Sequence, residues 1–506
     1  MATSNIQSNI PSLVCVLLAS LTTGGTLYAF GVYGNTLKKS LLLSQSQLDT
    51  ISSSFFVAGV FSWIPGLIVD KFGSRISLIL GGIMGALSTT LFWAMARQFF
   101  SDRGHIVAIL TTLGVFISLS CALIIASVFK IIMVCCKDTK GHAVGVAKAH
   151  VGLGAGVYVG IFSGLKHSND LDYLPMCAFF FLTCVTLPAI ILLPTEEVKF
   201  RDDATPYHYR ILYVSLLILG IMVLLNTIRL LLGDEDQSPW YVCGILFVWL
   251  VPIMSLLYIP RKEEAKNQDE EALRLIEEQR STEDTSYNLV QMLKTRSTYL
   301  MLWTCTIVVG SGLVETNNMG QMVESLRFSD AVTPASLALF SVCQAVSRVV
   351  SGTTSDAMAH RGVSRPFFLI LASCTAFLSH LILSMTTTEP LFVFGVALSG
   401  IAFGAVWPLM VLIVGEVFGV AHLGGNYMFF DGCTSSIGAF VLSNLVAGEV
   451  YEHSCVLEDS YTCYGPSCFR MTHEIIAALS LTAIATSIAL FHSTREAYSR
   501  YQRIDP

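Results

Sequence analysis

The sequence predicts an all-α polytopic membrane protein with about 14 transmembrane helices. The 506-residue chain is 53% hydrophobic and only 13% charged, whereas about a quarter of the residues are charged in soluble domains. Its mean hydropathy is +0.64, and it contains many apolar runs of the roughly 20 residues that a helix needs to cross a bilayer. An internal repeat also divides most of the chain into two similar halves.

The apolar runs fall into groups of six, two and six. Because each run is continuous rather than an alternation over about ten residues, we predict helices and not barrel strands. The predicted helices are 10–33, 48–69, 76–96, 105–129, 143–165 and 174–194, then 211–232 and 240–259, and finally 297–323, 333–352, 366–386, 391–415, 425–448 and 473–492. The predicted organisation is an N-terminus (1–9), a first half (10–194), two additional helices (195–259), a linker (260–296), a second half (297–492) and a tail (493–506).

The placement of lysine and arginine predicts the orientation. With the N-terminus inside, the inner loops and the tail carry 20 of the 30 basic residues, against 7 in the outer loops, and cytoplasmic loops hold such an excess. The other three, Lys148, Arg229 and Arg348, lie within predicted helices. Both termini are therefore predicted to be cytoplasmic, with the first helix an uncleaved signal-anchor. The expected location is the plasma membrane or a vacuolar-type endomembrane.

A compact group of charges occurs at the same place in both halves. The stretch PGLIVDKFGSR ends the second predicted helix, and SGTTSDAMAHRGVSRP follows the equivalent helix of the second half. The offset from Asp70 to Asp356 is 286 residues, and a second alignment places Gly141 on Gly424 with an offset of 283. These matched offsets indicate an internal duplication. Repeated halves with a site between them are typical of secondary transporters.

The stretch GLIVDKFGSR follows the pattern Gly-x-x-x-Asp-x-x-Gly-x-Arg, which resembles the cytoplasmic loop signature of the major facilitator superfamily. Five other stretches together resemble the nodulin-like branch of that superfamily: GGTLYAFGVYGNTLKKSL, KGHAVGVAKAHVGLGAG, NNMGQMVESL, GIAFGAVWPLMVLIVGEVFG and CYGPSCF. The resemblance implies a major-facilitator-type fold of two six-helix halves with two extra helices between them. Asn317 and Asp431 depart from the branch, in which an Asp and a neutral residue are expected there.

The resemblance also implies a conformational latch. In the superfamily the loop Asp accepts hydrogen bonds from a helix N-terminus, where an acidic group is favoured, and pairs with a basic residue. The candidate latch residues are accordingly Asp70 and Arg75 in the first half, and Asp356, Arg361 and Glu416 in the second. The alternative is that these charges only fix the topology.

Ionisable groups within the helices are candidates for binding and coupling, because a charge inside a membrane is costly and functional by default. Lys148 either binds an anionic substrate or extends its long stem to the interface. Asp431 occupies the equivalent position of the second half, 283 residues later. Glu315 is the candidate to carry a coupling proton, and the alternative is a group that reaches the outer mouth.

Further candidates for the substrate cavity lie on other helical faces. Gln344 and Arg348 are one turn apart, and Arg348 either clamps a carboxylate or pairs with Asp356. Trp407 precedes Pro408, which is expected to kink its helix. The remaining candidates are Asn317, Asn318 and Gln321 near Glu315, and Tyr28 and Tyr33 on the first helix, for which helix–helix hydrogen bonds are the alternative.

The outer loop 449–472 contains Cys455, Cys463 and Cys468. Two of them are expected to form a disulfide on an oxidising side of the membrane, and the sequence leaves the pairing open. The fourteen cysteines show no CxxC or Cys/His spacing typical of a metal site. No HExxH, GxSxG or nucleotide-binding motif falls in a helix, so we predict no metal, no cofactor, no nucleic-acid partner and no enzyme activity.

The predicted function is secondary active transport of a small polar or anionic organic metabolite, monocarboxylate-like or amino-acid-like, by alternating access. The partners are this solute, the lipid bilayer and protons as the expected coupling ion, and the chain is expected to be monomeric. The alternative is a membrane receptor or sensor that keeps the transporter fold without transport.

Overall fold

A computed structural model describes residues 6–98, 105–165, 169–196, 198–231, 239–258, 286–329, 332–359, 361–457, 463–495 and 498. Helices dominate these ranges, and one short sheet accompanies them. Most of the predicted linker, residues 259–285, lies outside the described residues.

The helices of the first half and the two additional helices follow one another with short connections. The elements are β1 (Ile6–Ser8), α1 (Ile10–Leu27), α2 (Phe30–Leu41), α3 (Gln45–Val57), α4 (Trp63–Phe72), α5 (Ser74–Ala96), α6 (Ile106–Cys135), α7 (Lys140–Gly164), α8 (Tyr173–Phe180), α9 (Leu187–Leu192), β2 (Lys199–Arg201), α10 (Pro206–Leu231) and α11 (Pro239–Ser255). A 3₁₀ turn (Ala58–Phe61) precedes α4, another (Asp170–Asp172) precedes α8, and a π-helical segment (Phe181–Thr186) joins α8 to α9.

The rest of the described chain begins with a short helix and continues with mostly long helices. They are α12 (Leu289–Met292), α13 (Arg296–Ser325), α14 (Val332–Ala359), α15 (Pro366–Ser384), α16 (Glu389–Val417), α17 (Leu423–Ile437), α18 (Ala447–Leu457) and α19 (Ser467–Ser493). A π-helical segment (Gly438–Val446) joins α17 to α18.

The predicted fold class is confirmed. Within the described ranges, twelve helical segments are long and apolar enough to cross a membrane, and a bent pair, Thr50–Phe61 with Trp63–Phe72, makes a thirteenth. The apolar helix Trp240–Ser255 is shorter, and with it the number agrees with the predicted 14 or so. The chain is an all-α multi-pass membrane protein.

Two helices extend beyond their predicted ends. α6 continues to Cys135 rather than ending at 129, and α14 continues to Ala359 rather than ending at 352. Lys130 and Asp356 consequently lie on helices and not in loops. A charged residue ends an apolar run in the sequence, but it need not end a helix when a partner compensates its charge.

By its contacts the chain forms two compact units. Unit 1 comprises 1–219, 236–289 and 418–432, and unit 2 comprises 220–235, 290–417 and 433–506. In unit 1, α1 packs along α7, and glycine is needed at the contact because a Cβ at Gly154 would lie 2.5 Å from the Leu21 carbonyl oxygen. In unit 2, α14 packs on α16, and α15 and α13 both pack on α19. The first part of α17 belongs to unit 1 although its sequence belongs to the second half.

The short parallel sheet of β1 and β2 was not predicted. Ile6 pairs with Lys199 and Ser8 with Arg201. Beside it, the buried Asn9 donates to Asp202 Oδ1 at 2.7 Å and accepts from the backbone N–H of Asp203 at 3.0 Å. Three-residue strands this far apart carry no detectable period in the sequence, and only the folded chain brings them together.

Candidate functional site

Asp70 lies in unit 1 at the end of α4, against the start of α17. Its Oδ1 accepts a hydrogen bond from the backbone N–H of Gly424 at 3.0 Å, and its Oδ2 accepts one from Gly425 at 2.7 Å. Lys130 on α6 donates to Oδ1 at 2.6 Å and to the Ala421 carbonyl oxygen at 3.1 Å. The carboxylate therefore accepts hydrogen bonds from N–H groups that have no partner within their helix, and it also balances the charge of a lysine. We call Asp70, Lys130 and the Gly424–Gly425 amides the Asp70 cluster.

Glycine makes this contact possible. A Cβ at Gly424 would lie 2.8 Å from Asp70 Oδ1, and a Cβ at Gly66 would overlap the Gly424 backbone. Gly66 is the first residue of the repeated sequence pattern. Its role is to let α4 approach the start of α17 closely enough for the carboxylate to reach two amides.

Arg75 lies apart from the Asp70 cluster, contrary to the predicted grouping. Its guanidinium donates to the carbonyl oxygens of Ala189 at 3.3 Å and Ile190 at 3.1 Å, near the C-terminal end of α9. Basic groups are favoured there because the last carbonyls of a helix have no intrahelical partner. The basic partner of Asp70 is Lys130, which is distant in sequence.

In unit 2, Asp356 on α14 and Glu416 at the end of α16 share Arg365, which precedes α15. The guanidinium donates from Nη2 to Asp356 Oδ1 at 2.7 Å, from Nε to both Glu416 oxygens at 2.8 Å, and from Nη1 to Ser355 Oγ at 2.7 Å. Only 1% of the Arg365 side chain is exposed, with 6% of Asp356 and 3% of Glu416. We call these three charged residues the Arg365 cluster.

Arg365 remains charged in this buried position. Burial alone lowers its pKa, but the charges of Glu416 and Asp356 more than reverse this effect and raise the pKa above its ordinary value. One guanidinium can serve two carboxylates because its five N–H donors point in fixed directions.

The predicted basic member of this cluster was Arg361, and the structure instead brings Arg365 to Asp356. Arg361 is exposed in the connection between α14 and α15. Arg365 directly precedes Pro366, the first residue of a helix. The proline in the sequence was the available signal that Arg365 lies at a helix start. The predicted grouping of Asp356 with Glu416 agrees with the geometry.

The two clusters occupy equivalent positions of the repeat. Asp70 and Asp356 are 286 residues apart, and Lys130 and Glu416 are also 286 residues apart. Each cluster therefore joins the end of the second helix of a half to the end of the fourth. The sequence contains the offset between Lys130 and Glu416. It does not identify them as equivalent positions, because one residue is basic and the other is acidic.

Lys148 and Asp431, which the repeat aligns, are in contact within unit 1. Lys148 Nζ lies 3.2 Å from Asp431 Oδ1 and donates a hydrogen bond to the Tyr427 hydroxyl, which in turn donates to Asp431. Nζ also lies 4.6 Å from the centre of the Phe129 ring and 5.1 Å from that of Tyr427. Only 4% of the Lys148 side chain is exposed, against 22% of Asp431. We call these residues the Lys148 cluster.

The buried geometry rules out the alternative in which Lys148 extends to the interface. Its ammonium has an anionic partner, a hydroxyl and two ring faces, and rings attract cations within about 6 Å. Asp431 is the more accessible of the two charges. The group therefore combines a buried cation with a partly exposed anion.

Glu315 is buried in unit 2 beside two histidines that the sequence analysis did not single out. Its Oε1 lies 3.7 Å from His380 Nδ1 and 3.6 Å from His473 Nδ1, and the two Nδ1 atoms are 3.1 Å apart. The exposed fractions are 0% for Glu315 and His380 and 3% for His473. We call these residues the Glu315 triad. The available signal was that His380 and His473 are ionisable groups inside apolar helices.

The amide candidates near Glu315 point away from it. Asn317 donates to Ser443 Oγ at 3.0 Å, and Asn318 donates to the same oxygen at 3.3 Å and to the Val314 carbonyl at 3.0 Å. Gln321 is exposed. The two asparagines join α13 to the π-helical segment that contains Ser443. None of their hydrogen bonds named here involves the triad.

Gln344 and Arg348 form a pair, as their spacing predicts. Arg348 Nη2 donates to Gln344 Oε1 at 2.7 Å, and its guanidinium lies 5.9 Å from the centre of the Trp407 ring. Trp407 is 5% exposed and packs edge-on against Phe403. The predicted alternatives for Arg348 included Asp356, whose Oδ1 accepts a hydrogen bond from Arg365.

The two tyrosines of the first predicted helix have different environments. Tyr28 ends α1 and is 48% exposed, whereas Tyr33 on α2 is 1% exposed and stacks on Tyr173 with ring centres 6.1 Å apart. The predicted single helix is broken between them. Tyr33 is therefore a core residue of unit 1.

The disulfide of the last outer loop joins Cys463 and Cys468. Cys455 lies on α18. Of the alternatives that the sequence left open, the short pairing across Gly465 is the one formed, and Gly465 has a φ of 103°, a conformation that favours glycine.

Two protein families match the chain. The nodulin-like family matches residues 12–257, and the Major Facilitator Superfamily matches residues 236–443. Together the two matches span residues 12–443 and confirm the predicted resemblance to the nodulin-like branch of the major facilitator superfamily. The members of this superfamily are transporters and not enzymes.

Curated relatives of this nodulin-like chain are distant. It is 19% identical to Protein NUCLEAR FUSION DEFECTIVE 4 of Arabidopsis thaliana, over 96% of this chain and 90% of that protein. It is 26% identical to Probable transporter MCH1 of Yarrowia lipolytica, over 37% of this chain and 40% of that protein.

Solved transporters share the fold. The proton:xylose symporter XylE superposes with a TM-score of 0.60 at 12% identity, covering 94% of both chains. The transporter FucP in an outward conformation gives a TM-score of 0.53 at 14% identity, covering 94% of this chain and 98% of that one. At these identities the likeness extends to the major-facilitator fold alone.

Proposed function

We propose that this chain is a secondary active transporter of a small organic anion, which it moves by alternating access, and that Lys148 binds the anionic group. The observation that carries the proposal is the buried pair of Lys148 with Asp431. Ionisable groups are kept inside membrane helices where they serve a substrate or an ion. The name of one relative, Probable transporter MCH1, supports transport.

The contacts of Lys148 favour a carboxylate as its ligand. Its ammonium already interacts with one carboxylate at 3.2 Å, so an incoming carboxylate offers the same chemistry as Asp431. Lysine is a compact charge without the planar fork of arginine, and it accepts a new anion without a fixed approach direction. The rings of Phe129 and Tyr427 keep water from the ammonium and strengthen its attraction for any anion.

Exchange of partners at Lys148 provides a simple link to protons. When a substrate anion replaces Asp431, that carboxylate loses its compensating charge. Uptake of one proton by Asp431 restores the balance, and release of the substrate returns Asp431 to Lys148. Proton-coupled symport of an anion follows from this cycle. Glu315, the acid predicted from the sequence to carry the coupling proton, is the second candidate.

The test is counterflow by purified protein in liposomes, screened with small monocarboxylates and amino acids. We expect one class of carboxylate to exchange, and Lys148→Met to abolish the exchange. Lys140→Met is the matched control, because Lys140 lies on the same helix two turns earlier and is also buried. Counterflow by Lys148→Met at the wild-type rate would contradict the proposed role, and ligand binding without counterflow would support the receptor alternative.

Two neutralising variants separate the coupling candidates. The variant that removes the coupling acid is expected to lose accumulation against a gradient while it keeps exchange, because it mimics the protonated form. We compare Asp431→Asn with Glu315→Gln in this assay. Normal accumulation by Glu315→Gln would exclude Glu315, and loss of both activities would indicate a role in binding or folding.

A further inference from the structure

Three metal-ligating side chains from three different helices meet inside unit 2. Glu315 comes from α13, His380 from α15 and His473 from α19. These helices pack on one another within the unit, so each ligand is held by a rigid element. We propose that the Glu315 triad is a buried binding site for a divalent transition-metal cation of the zinc class. This inference goes beyond the proposed transport function, which rests on Lys148 in unit 1.

The spacing of the three atoms fits such a cation. The atoms Glu315 Oε1, His380 Nδ1 and His473 Nδ1 form a triangle with sides of 3.1, 3.6 and 3.7 Å. The point equidistant from its corners lies about 2.0 Å from each atom, and Zn²⁺ is held at about 2.0–2.2 Å by histidine nitrogens and carboxylate oxygens. The three atoms are therefore already spaced as the ligands of one such ion.

Hydrogen bonds within the triad leave its polar atoms unsatisfied. One proton can lie between the two Nδ1 atoms at 3.1 Å. Both oxygens of Glu315 are then buried without a hydrogen bond to any described residue, and 3.6 Å is too long for one. His380 Nε2 is likewise buried without a partner among the described residues. Because unsatisfied buried polar groups are costly, a cation held by Glu315 Oε1 and the two Nδ1 atoms gives the buried carboxylate the partner that it lacks; His380 Nε2 is not satisfied by it.

The ligand set selects the class of ion. Two histidines and one carboxylate are a known ligand set of zinc, with a fourth position open to water. Ca²⁺ and Mg²⁺ prefer six or more oxygen ligands, whereas imidazole suits zinc, copper, iron and nickel. With one carboxylate, the ion and its ligands together carry one net positive charge. The free energy of burying this charge in an apolar interior is lower than that of burying a free divalent ion.

A small cavity borders His473, one of the three residues of the triad, and is the candidate place for a water ligand. Its volume is about 20 Å³ and its lining includes His473, Leu383 and Phe469. A cavity of this size holds one water molecule. The cavity also borders Ser325 at the end of α13, and Gly465 and Arg470 near the start of α19.

The experiment measures Zn²⁺ and Co²⁺ binding by the purified full-length chain, with any tag removed and the protein first treated with a chelator. We expect one Zn²⁺ per chain by elemental analysis and calorimetry, and a rise in melting temperature on adding Zn²⁺. Co²⁺ should give the visible absorption of a tetrahedral nitrogen–oxygen site, which Zn²⁺ then removes by displacement. These measurements on the wild-type chain do not depend on any variant folding.

Substitutions then locate the site. His380→Gln and His473→Gln are expected to weaken Zn²⁺ binding by about 100-fold or more, since loss of even an outer-shell partner costs about 10–100-fold. His150→Gln is the matched control, because His150 is equally buried in a helix, and its Nδ1 forms a hydrogen bond with the Val146 carbonyl one turn earlier in its own helix. Its Zn²⁺ binding should equal that of the wild type.

Two results would overturn the proposal. One is a wild-type chain that is folded but shows no stoichiometric Zn²⁺ and no Co²⁺ absorption, while its melting temperature responds only to pH; the triad would then hold a proton and no metal. The other is Zn²⁺ binding that survives unchanged in both triad variants. Neither result affects the carboxylate counterflow expected at Lys148, so the two proposals fail separately.

Discussion

The Asp70 cluster and the Arg365 cluster occupy the same positions of the duplicated halves but balance charge differently. In unit 1, one carboxylate faces Lys130 and two helix amides, and the charged side chains are 8% and 16% exposed. In unit 2, two carboxylates share one arginine, and the three side chains are at most 6% exposed. The two halves therefore have charged groups at equivalent positions, but the partners that compensate these charges differ between the halves.

The difference in burial has energetic consequences. A buried ion pair adds little net stability, but removal of one partner leaves an uncompensated charge in an apolar environment. The Asp70 carboxylate keeps helix amides as partners if its lysine is lost. In the Arg365 cluster, two buried acidic groups share one guanidinium, so its loss removes a cation from both at once. We therefore expect the second half to depend on its cluster for folding, and the first half to use its cluster as a latch.

The largest effect is expected for Arg365→Gln. Two buried carboxylates lose their shared cation, and the loss of one partner of a buried pair costs about 3–5 kcal/mol. The melting temperature and the folded yield of the purified protein should fall steeply. Arg361→Gln is the control, since this exposed arginine lies four residues away and should change stability by no more than about 0.5 kcal/mol.

A second set of variants sharpens this prediction. Adding Asp356→Asn and Glu416→Gln to Arg365→Gln removes the uncompensated charges and should restore part of the lost stability. Equal melting temperatures for Arg365→Gln and Arg361→Gln would break the proposed difference between the two clusters.

Asp70→Asn is expected to have a smaller effect on stability and a clear effect on conformation. The amide can accept from only one of the two backbone N–H groups, and Lys130 loses its anion; hydrogen bonds to charged groups contribute about 1.5–3 kcal/mol. Expression should stay near normal while the balance of inward-open and outward-open states shifts. Accessibility labelling from the two faces measures this balance.

Lys71→Gln controls for charge at the same loop, because Lys71 is exposed next to Asp70. It should leave the labelling pattern unchanged. If Asp70→Asn also leaves it unchanged, the charges of this loop act only as a topology signal, and the latch is excluded.

The smallest perturbation tests whether both clusters lie on the cytoplasmic side, as the basic residues predict. Cys463 and Cys468 are then on the opposite side. An impermeant thiol reagent applied outside, after reduction, should label them in intact cells if the protein is in the plasma membrane. The double variant Cys463→Ser, Cys468→Ser identifies the signal. If plasma-membrane protein is labelled only after permeabilisation, the predicted orientation of both clusters is wrong.

The sequence by itself determined the fold class, the family and the positions of the repeat. Apolar runs of about 20 residues report membrane helices because each one must satisfy its backbone hydrogen bonds internally. The glycine and the aspartate of the repeated loop could be recognised from the sequence, because they are only a few residues apart. The family's loop signature implies that Asp70 accepts from a helix start and pairs with a basic residue; the helix start is that of α17, and the basic residue is Lys130 and not the predicted Arg75.

The tertiary structure decided which charged groups meet. Lys130 lies 60 residues from Asp70, and Lys148 lies 283 residues from Asp431. His380 and His473 reach Glu315 from separate helices. Arg75 and Arg361 were the predicted basic partners and lie close to the acids in sequence, yet neither is the partner that the structure brings to the acid. The physical reason is that a charge is compensated by the group that packing brings within about 3–4 Å, and helix packing sets that distance without regard to separation along the chain.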